Sequence, residues 1–120
     1  MQKRPKEITN AFIQILEENL RDLISGKTDE YLDINKIADR IHINAIHLST
    51  TIKETTGKSP CDICNEKTIS VSKKLLEDPA FTIADIAYKL TYEPTNFTKY
   101  FKKFAGLTPS QYRKSILQTP

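Results

Sequence analysis

Tryptophan is absent, methionine occurs once and glycine only three times in 120 residues. No glycine-rich phosphate loop, dinucleotide-binding turn or nucleophile–base pair can be read from the chain, so neither enzyme chemistry nor a cofactor is expected. No run of 18 apolar residues occurs, which excludes a membrane-spanning helix. The opening MQKRPKEITNAF carries charge but no apolar stretch behind it and is not a secretory signal. A cytoplasmic location is expected. Cysteine appears twice, as Cys61 and Cys64. Zinc wants four ligands, and there is no second cysteine pair. His42 and His47, five residues apart, do not share a helical face, so no metal site is expected. The last absence is acidic. Residues 97–120 hold five bases (Lys99, Lys102, Lys103, Arg113, Lys114) and no acid, whereas residues 1–60 balance nine bases against nine acids. A basic C-terminal segment suits a polyanionic partner; the plainer reading is a solvated basic face.

An internal repeat is present. Residues 34–60 laid on residues 83–109 at an offset of 49 match without a gap. Ile34 meets Ile83, Ile37 meets Ile86, Ala38 meets Ala87, Leu48 meets Phe97, Ile52 meets Phe101, Lys53 meets Lys102, Gly57 meets Gly106 and Pro60 meets Pro109. Each copy predicts two short helices. Asp33 and Thr82 stand where N-caps belong, with Thr82 and Asp85 spaced as a capping box. A turn follows in which Ile43 or Tyr92 points inward. Asn44 caps the second helix of copy one, and Pro94 fits the first turn of its counterpart. Gly57 and Gly106 close these helices in the left-handed region, and Ser59-Pro60 and Thr108-Pro109 start the next ones.

Two further helices complete the count. Residues 6–25 place Ile8, Phe12, Leu16, Leu20 and Leu23 on one stripe, with Gly26 as the stop. Residues 60–77 connect the copies, with Cys61, Cys64, Val71 and Leu75 expected on the buried stripe. The predicted fold is all-α: seven helices forming two helix-turn-helix subdomains joined by a linker helix, a homeodomain-like tandem. The expected organisation is residues 1–60 as the first lobe, 61–78 as the linker helix and 79–120 as the second lobe.

In such a unit the second helix is pinned by its apolar side so that its other side can enter a DNA major groove. The outward residues expected to touch DNA are Ala45, Ile46, His47, Ser49, Thr50 and Lys53 in copy one. In copy two they are Pro94, Thr95, Asn96, Thr98, Lys99, Lys102 and Lys103. Hydroxyls bond bases or phosphates, isoleucine can touch a thymine methyl, and lysine reaches guanine or phosphate. Helix N-termini near Asn35, Ser59, Thr82 and Thr108 are expected to offer N–H groups to phosphates. The competing readings are a protein-interaction adaptor of the same fold without DNA binding, and a thiol redox sensor through Cys61 and Cys64.

The segment IADIAYKLTYEPTNFTKYFKKFAGLTPSQYRKS (83–115), with FKKFAGLTPSQYR (101–113) as its most specific part, resembles the signature of the AraC/XylS family of transcription regulators. IADRIHINAIHLSTTIKETTGKSP and KKLLEDPAFTIADIA resemble the rest of that family's DNA-binding domain. The resemblance spans roughly residues 8–116. It implies a bilobal seven-helix fold, double-stranded DNA as the partner, major-groove binding by the third and sixth helices, and contact with RNA polymerase. Most members of that family carry a separate sensing domain; this chain is expected to be a short, sensor-less member, with an isolated DNA-binding domain as the alternative, and two units on one linker helix are expected to bind DNA as a monomer. The chain departs from the family pattern in four places. His42 and Thr91 stand where glycine is common, and Thr91 is expected to give the second turn a different geometry, since a β-branched residue suits a positive φ poorly. The second unit is one residue shorter than usual between Ala87 and Phe97. Thr68 stands where arginine is usual. The first reading helix has no base before Lys53.

Overall fold

The computed structural model describes residues 4–117, and among them there are seven helices and no strand. They are α1 (Pro5–Ser25), α2 (Ile34–Ile41), α3 (Ala45–Thr56), α4 (Pro60–Leu76), α5 (Ile83–Lys89), α6 (Pro94–Ala105) and α7 (Pro109–Leu117). The chain divides into two compact units, one ending at Cys64 and the other beginning at Asn65, so the division falls inside α4. The sequence reading set a linker of 61–78 apart from both lobes. Here α4 buries Ile63 on the first unit's side of the division and Ile69, Leu75 and Leu76 on the other.

In the first unit α1 packs against α2 and α3. Its stripe of Ile8, Phe12, Leu16, Leu20 and Leu23 is buried, as the helical spacing predicts, and meets a core of Leu32, Ile37, Ala38, Ile41, Leu48 and Ile52. Burying each large side chain contributes about 1.5–3 kcal/mol, which outweighs the weak intrinsic propensity of so short a helix as α2. Gly26 ends α1 with φ +81°. Asn19, a buried amide, ties down the loop that follows: its Nδ2 donates to the Glu30 carbonyl at 2.8 Å and its Oδ1 accepts from the Leu32 amide at 2.9 Å.

In the second unit α6 packs against α5 and α7 around Ile86, Ala87, Leu90, Phe97 and Phe101. Phe97 and Phe101 take the places of Leu48 and Ile52, and their rings lie tilted 5.9 Å apart. Larger side chains thus fill the core of the second unit. Arg113 of α7 closes this unit. Its Nε donates to the Leu76 carbonyl at 3.0 Å, and its Nη2 donates to the carbonyls of Asp78 and Phe81. One guanidinium therefore satisfies the end of α4 and the loop leading to α5. This base belongs to the fold and not to an open basic face.

Two expectations need correction. The buried stripe of α4 is Ile63, Thr68, Ile69, Ser72, Leu75 and Leu76, whereas Cys61 is exposed and Cys64 and Val71 are half-buried. Apolarity alone favours the cysteines; the helix instead buries isoleucines and leucines together with two hydroxyls. The Ser72 hydroxyl donates to the Thr68 carbonyl at 2.7 Å, while the buried Thr68 hydroxyl has no hydrogen-bond partner among the described residues. The second correction concerns the turns. Thr91 takes φ +70°, nearly the φ +66° of His42. The bonds also correspond at the offset of 49: Ile43 N–H to the Ala38 carbonyl and Tyr92 N–H to the Ala87 carbonyl, His42 N–H to Asp39 and Thr91 N–H to Tyr88. The requirement that Tyr92 reach inward, where it meets Phe97, overrides the local preference of threonine.

A left-handed conformation costs an ordinary L-residue about 1–2 kcal/mol. Thr91→Gly removes that strain, and nothing at this turn requires the threonine side chain. Part of the gain is offset because glycine gives the unfolded chain more freedom. The expected outcome is a net stabilisation of about 1 kcal/mol, read as a Tm rise of roughly 4 °C. His42→Gly gives a smaller rise, since histidine enters this region more readily than a β-branched residue.

Candidate nucleic-acid interface

The second helices of the two helix-turn-helix units are built alike. Both α3 and α6 have 12 residues and end at a left-handed glycine, Gly57 with φ +77° and Gly106 with φ +84°. Asn44 caps α3 through its side chain, which accepts from the His47 amide at 2.7 Å. At α6 the N-cap residue Glu93 makes no side-chain cap, and Pro94 at the first position sets the start. The offset of 49 therefore pairs residues at the same helical position in both units.

Leu48 and Ile52 hold α3 to its core, and Phe97 and Phe101 hold α6. Opposite these lie Ile46, Thr50 and Lys53 on α3 and Thr95, Lys99 and Lys102 on α6, each set spaced i, i+4, i+7, and all six are exposed. Ile46 is 80% exposed. His47 and Glu54 border the first face, and Asn96 and Lys103 border the second; these four are exposed too. Ala45, Ser49, Pro94 and Thr98 are half-buried at the margin. The Thr98 hydroxyl donates to the Pro94 carbonyl at 3.0 Å, so only its lone pairs remain for a ligand.

The two faces differ in charge. On α3 the lysine at position 53 is followed by Glu54, while α6 presents Lys99, Lys102 and Lys103 and no acid after Glu93. Lys103 also lies over the Phe104 ring, 5.4 Å from its centroid.

One support of α6 is not evident from the pattern of the core. Tyr100 stacks on Tyr92, with ring centroids 4.9 Å apart, and donates its hydroxyl proton to Asn65 Oδ1 of α4 at 3.0 Å. Burial pushes the Tyr92 hydroxyl above the usual range for tyrosine, against a lowering hydrogen bond with Tyr100. Phe104 continues the row, 5.1 Å from Tyr100. The signal in the sequence is the i, i+4 spacing of Tyr100 and Phe104 on the flank next to Phe97 and Phe101.

The helix N-termini are less open to anions than the sequence implies. Asp33 caps α2, accepting from the Lys36 amide. Ser59 and Asp62 form a reciprocal box at α4, as do Thr82 and Asp85 at α5. Each of these ends already faces a carboxylate, which takes up the positive end of the helix. Only α7, among the four, is capped by neutral groups, the reciprocal pair Thr108 and Gln111.

Both cysteines are free; Cys61 is exposed and Cys64 half-buried, and burial raises the Cys64 thiol above its ordinary pKa, opposed by a hydrogen bond with Tyr31. Among the described residues no group of three or more His, Cys, Asp or Glu gathers as a metal site, and no helix is long and apolar enough to cross a membrane.

Comparison with known proteins follows the same lines. A family model described as a helix-turn-helix domain matches residues 37–115. The HTH-type transcriptional regulator YtdP of Bacillus subtilis is 31% identical over 100 residues, covering 82% of this chain and 13% of its own length. The chain spans less than half the length of the first curated relatives it matches. Among solved structures, the C-terminal domain of AraT, a response regulator from Geobacillus stearothermophilus, superposes with a TM-score of 0.80 at 23% identity, over 94% of this chain and 88% of that one. The DNA-binding domain of AdpA, a global transcriptional factor solved with a target DNA, gives 0.71 at 18% identity, over 88% of this chain and 91% of that one.

Proposed function

The chain belongs to the AraC-type helix-turn-helix family of transcription regulators, and on that premise we propose that it binds specific double-stranded DNA sites as a monomer and so regulates transcription. Helices α3 and α6 enter successive major grooves. Ile46, His47, Ser49, Thr50 and Lys53, with Ala45 at the margin, serve the first half-site. Thr95, Asn96, Thr98, Lys99, Lys102 and Lys103, with Pro94 at the margin, serve the second. The N-terminus of α7 offers amides to a phosphate. RNA polymerase as a protein partner and the cytoplasm as the compartment belong to the same proposal, and membership of the family supports them.

The observation that carries this reading is the pair of equal helices held by fully buried apolar residues, whose opposite sides are exposed, polar apart from Ile46 on α3, and basic on α6. An adaptor that had given up DNA would not need three exposed lysines on the outer side of α6.

The test is selection from a random duplex pool at low salt. Retained duplexes should share two blocks centred about one helical turn apart, roughly 10 base pairs, with one chain bound per duplex. A pool that is not retained, or a single palindromic block occupied by two copies, would overturn the proposal.

A further inference from the structure

The repeat and the two reading helices coincide position for position, so differences between the faces report differences of task. Thr50 stands at the position of Lys99, and Glu54 at that of Lys103. Lys53 and Lys102 agree. Glu54 is exposed, and among the described residues it makes no hydrogen bond or ion pair. It neither caps α3, which ends at Gly57, nor braces its unit. A carboxylate without a structural task, beside the one lysine of this face, is the feature to explain.

Resting on the reading of α3 as a DNA-entering helix, we infer that Glu54 is a specificity-determining residue that acts against wrong sites. Duplex DNA carries one negative charge per about 1.7 Å of axis, and any basic face is drawn to it whatever the sequence. Glu54 cancels Lys53 and removes that indiscriminate attraction from the first unit. What remains on α3 is contact that depends on the base pair: the Ile46 side chain against a methyl group, the Ser49 and Thr50 hydroxyls against base edges. The second unit supplies the phosphate affinity through Lys99, Lys102 and Lys103. A site that offers only phosphates then holds α6 but not α3. A cognate site holds both. Discrimination of this kind comes from a repulsive element as much as from an attractive one.

Two variants test the inference, Glu54→Gln and Glu54→Lys, with affinity measured on a random 30-mer duplex and on the selected cognate duplex over a range of salt. The position is exposed, so melting curves should match the parent chain. On random duplex, Glu54→Gln should bind about threefold tighter and Glu54→Lys about tenfold tighter at low salt, with a salt slope steeper by about one unit for the lysine variant. On cognate duplex the gain should be smaller, so the ratio of cognate to random affinity falls in the order parent, Gln, Lys. Equal ratios in all three proteins would overturn the role of Glu54 while leaving DNA binding intact. Weaker cognate binding in Glu54→Gln with random binding unchanged would also overturn it, by showing that Glu54 accepts a hydrogen bond from a base. Failure of the parent chain to bind either duplex would remove the DNA-binding premise itself.

Discussion

Lys99→Ala combined with Lys102→Ala should lower affinity for cognate duplex about a hundredfold near 100 mM salt and flatten the salt slope by close to two units. Both side chains are exposed on the outer side of α6, one turn apart, and among the described residues neither makes a hydrogen bond or ion pair. Their removal therefore leaves the fold unchanged. The slope separates their roles. A lysine on a phosphate releases counterions and changes the slope by about 0.9, whereas one that reads guanine O6 and N7 changes sequence preference as well. Lys53→Ala is the internal control. Next to Glu54 it contributes less to the field, and its loss should weaken binding by no more than about threefold. Equal losses at positions 53, 99 and 102 would contradict the division of labour between the two reading helices.

Arg113→Ala carries the largest expected loss of stability. The guanidinium supplies hydrogen bonds to three backbone carbonyls from elements distant in sequence. A hydrogen bond from a charged group contributes about 1.5–3 kcal/mol, and the bonds to Leu76 and Phe81 are partly buried, although the three bonds of one fork do not add independently. The expected cost is about 3 kcal/mol, seen as a fall in Tm of roughly 10 °C or more. Arg113→Lys should recover less than half of this, because a single ammonium cannot reach all three oxygens with the geometry of the fork. Measured well below the lowered Tm, the alanine variant should keep the parent salt slope. A slope reduced by one unit with an unchanged Tm would place Arg113 on a phosphate instead.

The fold was legible because its determinants are local and repeated. The 49-residue offset, the caps at Asp33, Asn44, Thr82 and Thr108, and the stops at Gly26, Gly57 and Gly106 each reflect backbone chemistry of a few neighbouring residues. What escaped depends on packing. The stripe of α4 could not be read from apolarity, because Thr68 and Ser72 are buried while Cys61 is exposed. Thr91 was judged by its own preference, yet the inward pull on Tyr92 decides the turn. Arg113 counted as surface charge because its partners at Leu76, Asp78 and Phe81 lie more than thirty residues away. The exposed face of α3 and α6 follows directly from helical spacing, since a face opposite two buried residues four apart has only one place to be. Thr98 shows the limit of that argument: spacing puts it at the edge of the face, but the Pro94 carbonyl has already taken its proton.

The central claim is that α3 and α6 each enter a major groove of one duplex. Methylation interference with dimethyl sulfate addresses it directly, since the reagent marks guanine N7 in the major groove and adenine N3 in the minor groove. On the selected duplex, with guanine in each block, interference is expected at N7 in two patches about one helical turn apart, the one facing α6 lost in the Lys99→Ala, Lys102→Ala protein. Interference at adenine N3 alone, or one N7 patch unaffected by those substitutions, would contradict the account.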